Sequence, residues 1–362
     1  MHALDYSHRA YSINELGMKD VEGMLRYITD VAENDSQEVA TNESATPPHK
    51  GHEKRSKEIH IVAHSLGAAS VLIHLVFSPK GEKTKIPIKQ VILLAPAGFH
   101  SRAPFLAMPF MHTVPPLVRF ANGLMGILGA RAGLPAYIPS KLLRAIAFKL
   151  ATDFHSVPAL NELSRSMLRV LLNGDCSDWD RYVPMDGANG WLRSPFIIPP
   201  HNNSSRATTD SCPLSLSLSF TLSLSLCRYH PTIRALQMPH YAAASMPALS
   251  VHTGAHLIQL IRRRKFELYD YGWKRLNRHH YGQDTPPDVS EGYQSIADEG
   301  ICVHLVAGAY DGVIAKDDIK RHYECMQRAG VDVTYTELDL GHLDVCFGGH
   351  EDVVRLVDAI LA

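Results

Sequence analysis

The 362-residue sequence has no run of 18 or more apolar residues, so no membrane-spanning helix is expected. It has no excess of charge of either sign. Lys and Arg number 36 against 37 Asp and Glu, a formal net charge of -1. That balance argues against nucleic-acid binding and against a polybasic membrane anchor, both of which usually go with a basic excess. Six cysteines, at 176, 212, 227, 302, 325 and 346, include no CxxC pair, so no zinc or dithiol redox motif is visible. A reduced, intracellular chain is the simpler expectation. The opening residues, Met1-His2-Ala3-Leu4-Asp5-Tyr6, lack the basic head and apolar core of a secretory signal, which favours a cytoplasmic location. The 21 histidines are scattered, and neither a metal nor a cofactor is expected. What is present is globular composition, 45% hydrophobic and 20% charged, with chain enough for one large domain or two ordinary ones.

Hydrophobic periodicity divides the chain. Residues 12–31 read as an amphipathic helix. Ser12 and Glu15 have capping-box spacing, and Leu16, Val21, Met24, Leu25, Ile28 and Val31 recur at helical intervals. Residues 32–57 are polar and contain Pro47-Pro48, which predicts a surface loop. Buried strands are expected at 59–63, 91–95, 302–308 and 331–338, with helices from 66 to Phe77, over 316–329 and over 351–361. Apolar strands alternating with helices imply an α/β fold built on a parallel sheet. Residues 99–180 are rich in Leu, Met and Phe but punctuated by proline and glycine, which predicts short helical pieces suited to a mobile apolar cap. Arg262-Arg263-Arg264-Lys265 is expected to be the solvated end of a helix over 254–265, and His279-His280 a loop.

The pattern collapses between about Arg181 and Arg234. Leu and Ser alternate from Leu214 to Leu226, a two-letter simplicity more typical of low-complexity sequence than of a strand. An unstructured insertion is the expectation. Asp178-Trp179-Asp180 reads on naturally to Ala235-Leu236-Gln237, as it would if the segment were translated intron.

The sharpest chemical signal is Ala63-His64-Ser65-Leu66-Gly67 between a strand and a helix. This is the small-x-Ser-x-Gly pattern of a nucleophile elbow, with Ala63 in place of the first glycine. Small residues on either side of the serine are expected to let neighbouring backbone approach. The Leu66 N–H, at the start of the helix, would be an oxyanion donor. A serine hydroxyl needs a base, and the base needs an orienting acid. Asp311 follows the strand 302–308, and His342 follows the strand 331–338, the chain order Ser, Asp, His in which a nucleophile-elbow serine is joined by its acid and base. Asp317 and Asp318 compete as acids but look like first-turn helix residues, and Asp344 looks like a brace for the His342 loop.

Tyr11-Ser12-Ile13-Asn14-Glu15, the elbow, Ala95-Pro96-Ala97-Gly98-Phe99, Phe266-Glu267-Leu268-Tyr269-Asp270-Tyr271-Gly272, the Ala307-to-Asp311 turn and Gly341-His342-Leu343-Asp344 stand in order along the chain. Together they resemble the α/β-hydrolase lipases related to gastric and lysosomal acid lipase, in a plant lipase-like branch. The resemblance covers 11–31, 57–180 and 235–362. It implies an α/β-hydrolase core in two parts, 1–98 and 296–362, around a helical cap over 99–295. It implies hydrolysis of lipid-like acyl esters by Ser65, His342 and Asp311, with no cofactor and with peripheral contact to a lipid surface through the cap.

That family carries further strands before the region matching Tyr11, and a His-Gly loop that supplies a second oxyanion donor. Here ten residues precede Tyr11 and no such loop is found. A truncated core is therefore expected, with the strand 59–63 as an exposed edge. Against the ester-hydrolase reading stand two others. One is an impaired remnant that binds apolar ligands. The other is an acyltransferase or thioesterase using the same three residues.

Overall fold

The computed structural model describes residues 11–43, 58–78, 87–102, 108–127, 137–138, 249–347 and 351–362. The expected insertion at 181–234, and most of the expected cap, lie outside the described residues.

The capping box forms as expected: the Ser12 hydroxyl accepts from the Asn14 N–H, and Glu15 accepts from the Ser12 N–H at 2.6 Å. From it run helix α1 (Ile13–Glu15), a π-helical segment Leu16–Val21, and helix α2 (Glu22–Glu43). The helix thus continues well into the region expected to be loop. Residues 32–43 contain no proline or glycine, so nothing local stops propagation. The apolar set also splits. Val21 and Leu25 are buried, while Met24, Ile28 and Val31 are 54%, 49% and 39% exposed. Periodicity identified the helix but not which of its two apolar stripes meets the core.

Among the described residues the main sheet has four parallel strands: β1 (Ile59–His64), β2 (Ile88–Leu94), β5 (Cys302–Gly308) and β6 (Val333–Leu338), in spatial order β1-β2-β5-β6. A short antiparallel pair, β3 (Tyr137–Ile138) with β4 (Leu249–Ser250), is separate from it. Helix α3 (Leu66–Phe77) follows β1, and helix α8 (Lys316–Arg328) follows β5. Both pack on one sheet face, where Leu72, Ile73, Ile319 and Met326 meet Val91, Leu93, Val303 and Leu305. On the opposite face helix α10 (Glu351–Leu361) lays Val353 and Leu356 over Ile92, Leu94 and Val306. Helices on both faces of a parallel sheet make an α/β fold.

Strands β1 and β6 are the two edges of the sheet among the described residues. Val62 pairs in register with Ile92, yet Ile92 is 0% exposed and Val62 48%. The cover from α10 reaches the middle of the sheet and does not extend to β1.

The region after β2 differs from expectation. Helix α4 (Met108–Ile127) is continuous, although Pro115 and Pro116 lie inside it. Each proline deletes an i→i−4 hydrogen bond. On one side Val118 packs with Ala255, Tyr269 and Tyr271, while Leu117 and Phe120 are 67% and 70% exposed. Helix α5 (Val251–Arg263) begins at Ser250, whose hydroxyl accepts from the His252 N–H. Arg264 turns into the left-handed region at φ 53° and ends it. The basic cluster is not wholly solvated, because Arg263 pairs with Glu267 and Asp270. His279 and His280 lie not in a loop but on helix α6 (Lys274–Tyr281), where His280 stacks on Tyr271 at 3.8 Å. Helix α7 (Gln294–Asp298) leads into β5, and helix α9 (Asp344–Phe347) follows the loop after β6.

Candidate active site

All four strands point the same way, so their carboxyl ends share one edge of the sheet. His64, Leu94, Val306 and Thr336 stand in one register row there. The residues just beyond such an edge are the usual place for a site in an open α/β sheet. Ser65 follows β1, Asp311 follows β5, and His342 follows β6.

Ser65 has φ 52° and ψ -117°, a conformation that costs a non-glycine residue on the order of 1–3 kcal/mol. The surrounding backbone enforces it. The Ser65 N–H donates to the Leu94 carbonyl at 2.9 Å, and the Ser65 carbonyl accepts from Ala69 and Ala97 N–H groups. Serine is among the best helix N-caps, yet here its side chain makes no cap to α3. Its hydroxyl turns instead to His342. The α3 N-terminus, beginning at the Leu66 N–H, is left without a side-chain cap.

His342 reaches Ser65 because its loop doubles back. From β6 to β1 is three strand spacings, about 14 Å. Leu340 first anchors over β5, where its carbonyl accepts from the Tyr310 N–H at 3.1 Å. Gly308 lies directly beneath, and a Cβ there would stand 2.5 Å from that carbonyl oxygen. Asp344, buried, accepts from the Gly341 N–H at 3.0 Å and braces the loop as expected.

His342 Nδ1 lies 2.7 Å from Asp311 Oδ2, and His342 Nε2 lies 2.8 Å from Ser65 Oγ. A carboxylate only accepts, so Nδ1 carries the proton. Nε2 then has a lone pair and accepts from the serine hydroxyl. Asp311 is itself fixed, since its Oδ1 accepts from the Val313 and Ile314 N–H groups at 2.8 Å each. Asp318 is occupied elsewhere. It sits in the first turn of α8 and accepts from the Ser101 N–H and hydroxyl.

The elbow departs from expectation at Gly67. A Cβ there would meet no described atom within 4 Å. The close approach occurs at Gly308 instead, between the loops that carry Asp311 and His342.

Two histidines beside the site were given no role by sequence reasoning. His64 Nε2 lies 2.9 Å from the main-chain oxygen of His342, and the two rings are 4.8 Å apart. Burial, and then the proximity of His342, lowers the His64 pKa to about 4. His100, on the loop after β2, is likewise lowered to about 4, mainly by burial. Position beside a serine is the signal that could have marked His64. Nothing local marks His100.

A cavity of about 520 Å³ lies between α4 and α5, lined by Arg119, Arg262, Tyr269 and Asp270 among others, and none of the three site residues lines it. No helix among the described residues is long and apolar enough to cross a membrane.

No protein-family model matches the chain. A curated tear acid lipase-like protein of Mesocricetus auratus is 27% identical over 143 residues, which cover 37% of this chain and 34% of that protein. The chain is thus similar to a lipase-like protein over about a third of that relative's length.

Proposed function

We propose that this chain carries the site of a carboxylic ester hydrolase acting on lipid-like acyl esters, set in an α/β-hydrolase core formed by residues 1–98 and 296–362 with a cap over 99–295. One observation carries the reading. It is the continuous relay from Ser65 Oγ through His342 to Asp311, at 2.8 and 2.7 Å, ending on a strained serine at a strand–helix turn. The similarity to an acid lipase-like protein supports the same reaction class.

In this reading Ser65 Oγ attacks the acyl carbon while its proton passes to His342 Nε2. Asp311 holds the tautomer and stabilises the imidazolium. The Leu66 N–H, with the positive end of α3 behind it, faces the developing oxyanion. Collapse breaks the ester C–O bond, and the departing alkoxide takes the proton back from Nε2. Water then repeats the sequence on the acyl-enzyme and restores Ser65. The exposed apolar side of α4, with Leu117 and Phe120, suits contact with an acyl chain or a lipid surface.

The test is reaction of the soluble chain with a fluorophosphonate probe beside Ser65→Ala. Labelling confined to Ser65 is expected, followed by turnover of p-nitrophenyl acyl esters. A folded chain that stays unlabelled would overturn the reading and favour a non-catalytic remnant. Acyl transfer to added alcohol or thiol in preference to water would move it to the transferase class.

A further inference from the structure

We propose that His64 is a positioning residue, which sets the reach of the His342 imidazole by donating its Nε2–H to the His342 main-chain carbonyl at 2.9 Å. The proposal rests on the reading of Ser65, His342 and Asp311 as a hydrolytic relay.

The geometry gives the bond a task. The loop that carries His342 starts at β6 and must cross β5 and β2 to reach β1. It is tied down over β5 by the Leu340 carbonyl and braced at Gly341 by Asp344. The Leu340 tie lies on the β6 side of His342, and the Gly341–Asp344 bond closes the loop around His342 without tying it to β1. His64 holds the loop from the other side. It is the last residue of β1 and the neighbour of Ser65, so one rigid strand end fixes both the nucleophile and the backbone of the base. The two rings lie 4.8 Å apart at 42°, so the imidazole of His342 is also limited in how far it can tilt towards β1.

The acceptor is a carbonyl, which cannot donate, so His64 must carry its proton on Nε2. Burial keeps His64 neutral above about pH 4, so this donor persists over the whole range in which an imidazole base operates. Neutrality serves the reaction too. When His342 takes the Ser65 proton and becomes cationic, a charged neighbour with its ring 4.8 Å away would oppose the transfer.

Loss of the donor should let His342 drift from Ser65, and displacement of a reacting group by about 1 Å can cost roughly 10²-fold in rate. The experiment compares His64→Phe, which keeps a ring and loses the donor, with His64→Gln, whose terminal amide N–H can occupy the Nε2 position. Read-outs are the fluorophosphonate labelling rate, kcat and KM on a p-nitrophenyl ester, melting temperature, and the low-field proton resonance of the His342–Asp311 hydrogen bond. His64→Phe is expected to lower labelling rate and kcat by about 10- to 10²-fold with little change in KM, and to broaden the resonance. His64→Gln is expected to recover most of the rate and the sharp resonance.

Labelling of His64→Phe at the wild-type rate would overturn the proposal. So would equal losses in both variants that track a lowered melting temperature, since that is packing alone. If His64→Phe does not fold, His64→Asn, whose amide is too short to reach, replaces it under the same criteria. Failure of the underlying reading looks different: wild-type chain would be unlabelled, or Ser65→Ala would react as well as wild type.

Discussion

Ser65 is held between two demands. Its backbone is strained and its hydroxyl forgoes the cap it would ordinarily give to α3, and both make sense only if the hydroxyl has another partner. That partner, His342, depends on Asp311 for its tautomer. Asp311→Asn should therefore leave the fold in place but present the wrong imidazole nitrogen to Ser65. A loss of roughly 10⁴-fold in ester turnover is expected, with circular dichroism unchanged. The glycines make a second test at this scale. Gly308→Ala would drive a methyl to 2.5 Å from the Leu340 carbonyl oxygen, and about 1–3 kcal/mol of destabilisation should accompany slower probe labelling. Gly67→Ala meets open space on the described structure, and a neutral or slightly raised melting temperature is expected. The elbow motif in the sequence suggested the reverse emphasis, because its glycine is noticed by pattern, whereas Gly308 is crowded only by a loop that arrives from another strand.

At the scale of elements, strands and caps were largely legible. The runs at 302–308 and 351–361 coincide with β5 and α10, because buried β-branched stretches and strong amphipathic helices declare themselves locally. The misreadings are equally instructive. Proline within α4 suggested breaks that do not occur, and the polar tail of α2 looked like a loop although it contains no helix breaker. How elements lock together was not legible at all. Asn14 on α1 donates to the Tyr281 hydroxyl at 2.8 Å and accepts from the Tyr269 N–H at 3.1 Å, joining two segments 255 residues apart. Tyr281 in turn donates to the Tyr269 carbonyl at 2.6 Å. The short motifs around Tyr11 and Tyr269 are thus two halves of one buried hydrogen-bond junction. Asn14→Ala would leave the buried Tyr269 N–H without its acceptor. A loss of about 1–3 kcal/mol in unfolding free energy, measured by urea denaturation, is expected.

For the whole molecule, buried histidines set an acid limit. Burial lowers His64, His100 and His256 to about 4 and His322 to about 3, from an ordinary value of 6.5. The unfolded chain takes up protons at these positions as pH falls below about 6.5, while the native chain does so only near 3–4. Stability is therefore complete above pH 6.5 and is lost progressively down to about 4, by on the order of 1–3 kcal/mol for each such histidine. Thermal melting should show a midpoint that is flat from pH 7 to 8 and falls steadily below 6.5. A midpoint unchanged at pH 4.5 would contradict this. The same scale exposes what the described fold leaves open. Val62 on the edge strand β1 and the stripe of Met24, Tyr27, Ile28 and Val31 on α2 remain in solvent.

The sequence by itself determined the class of the fold, most of its strands and the three residues whose chemistry makes sense together. Those features need only short-range information: a repeat of two or 3.6, a tight turn, a serine, an aspartate and a histidine in the right order. Tertiary structure alone decided that Ser65 and His342, 277 residues apart, come within 2.8 Å, and that the route between them crosses over Gly308. It alone brought Asn14 to Tyr269 and His64 to the His342 carbonyl, and chose which stripe of α2 is buried. Contacts of this kind depend on where whole strands and loops are placed by the packed sheet, and no local pattern of residues encodes that placement.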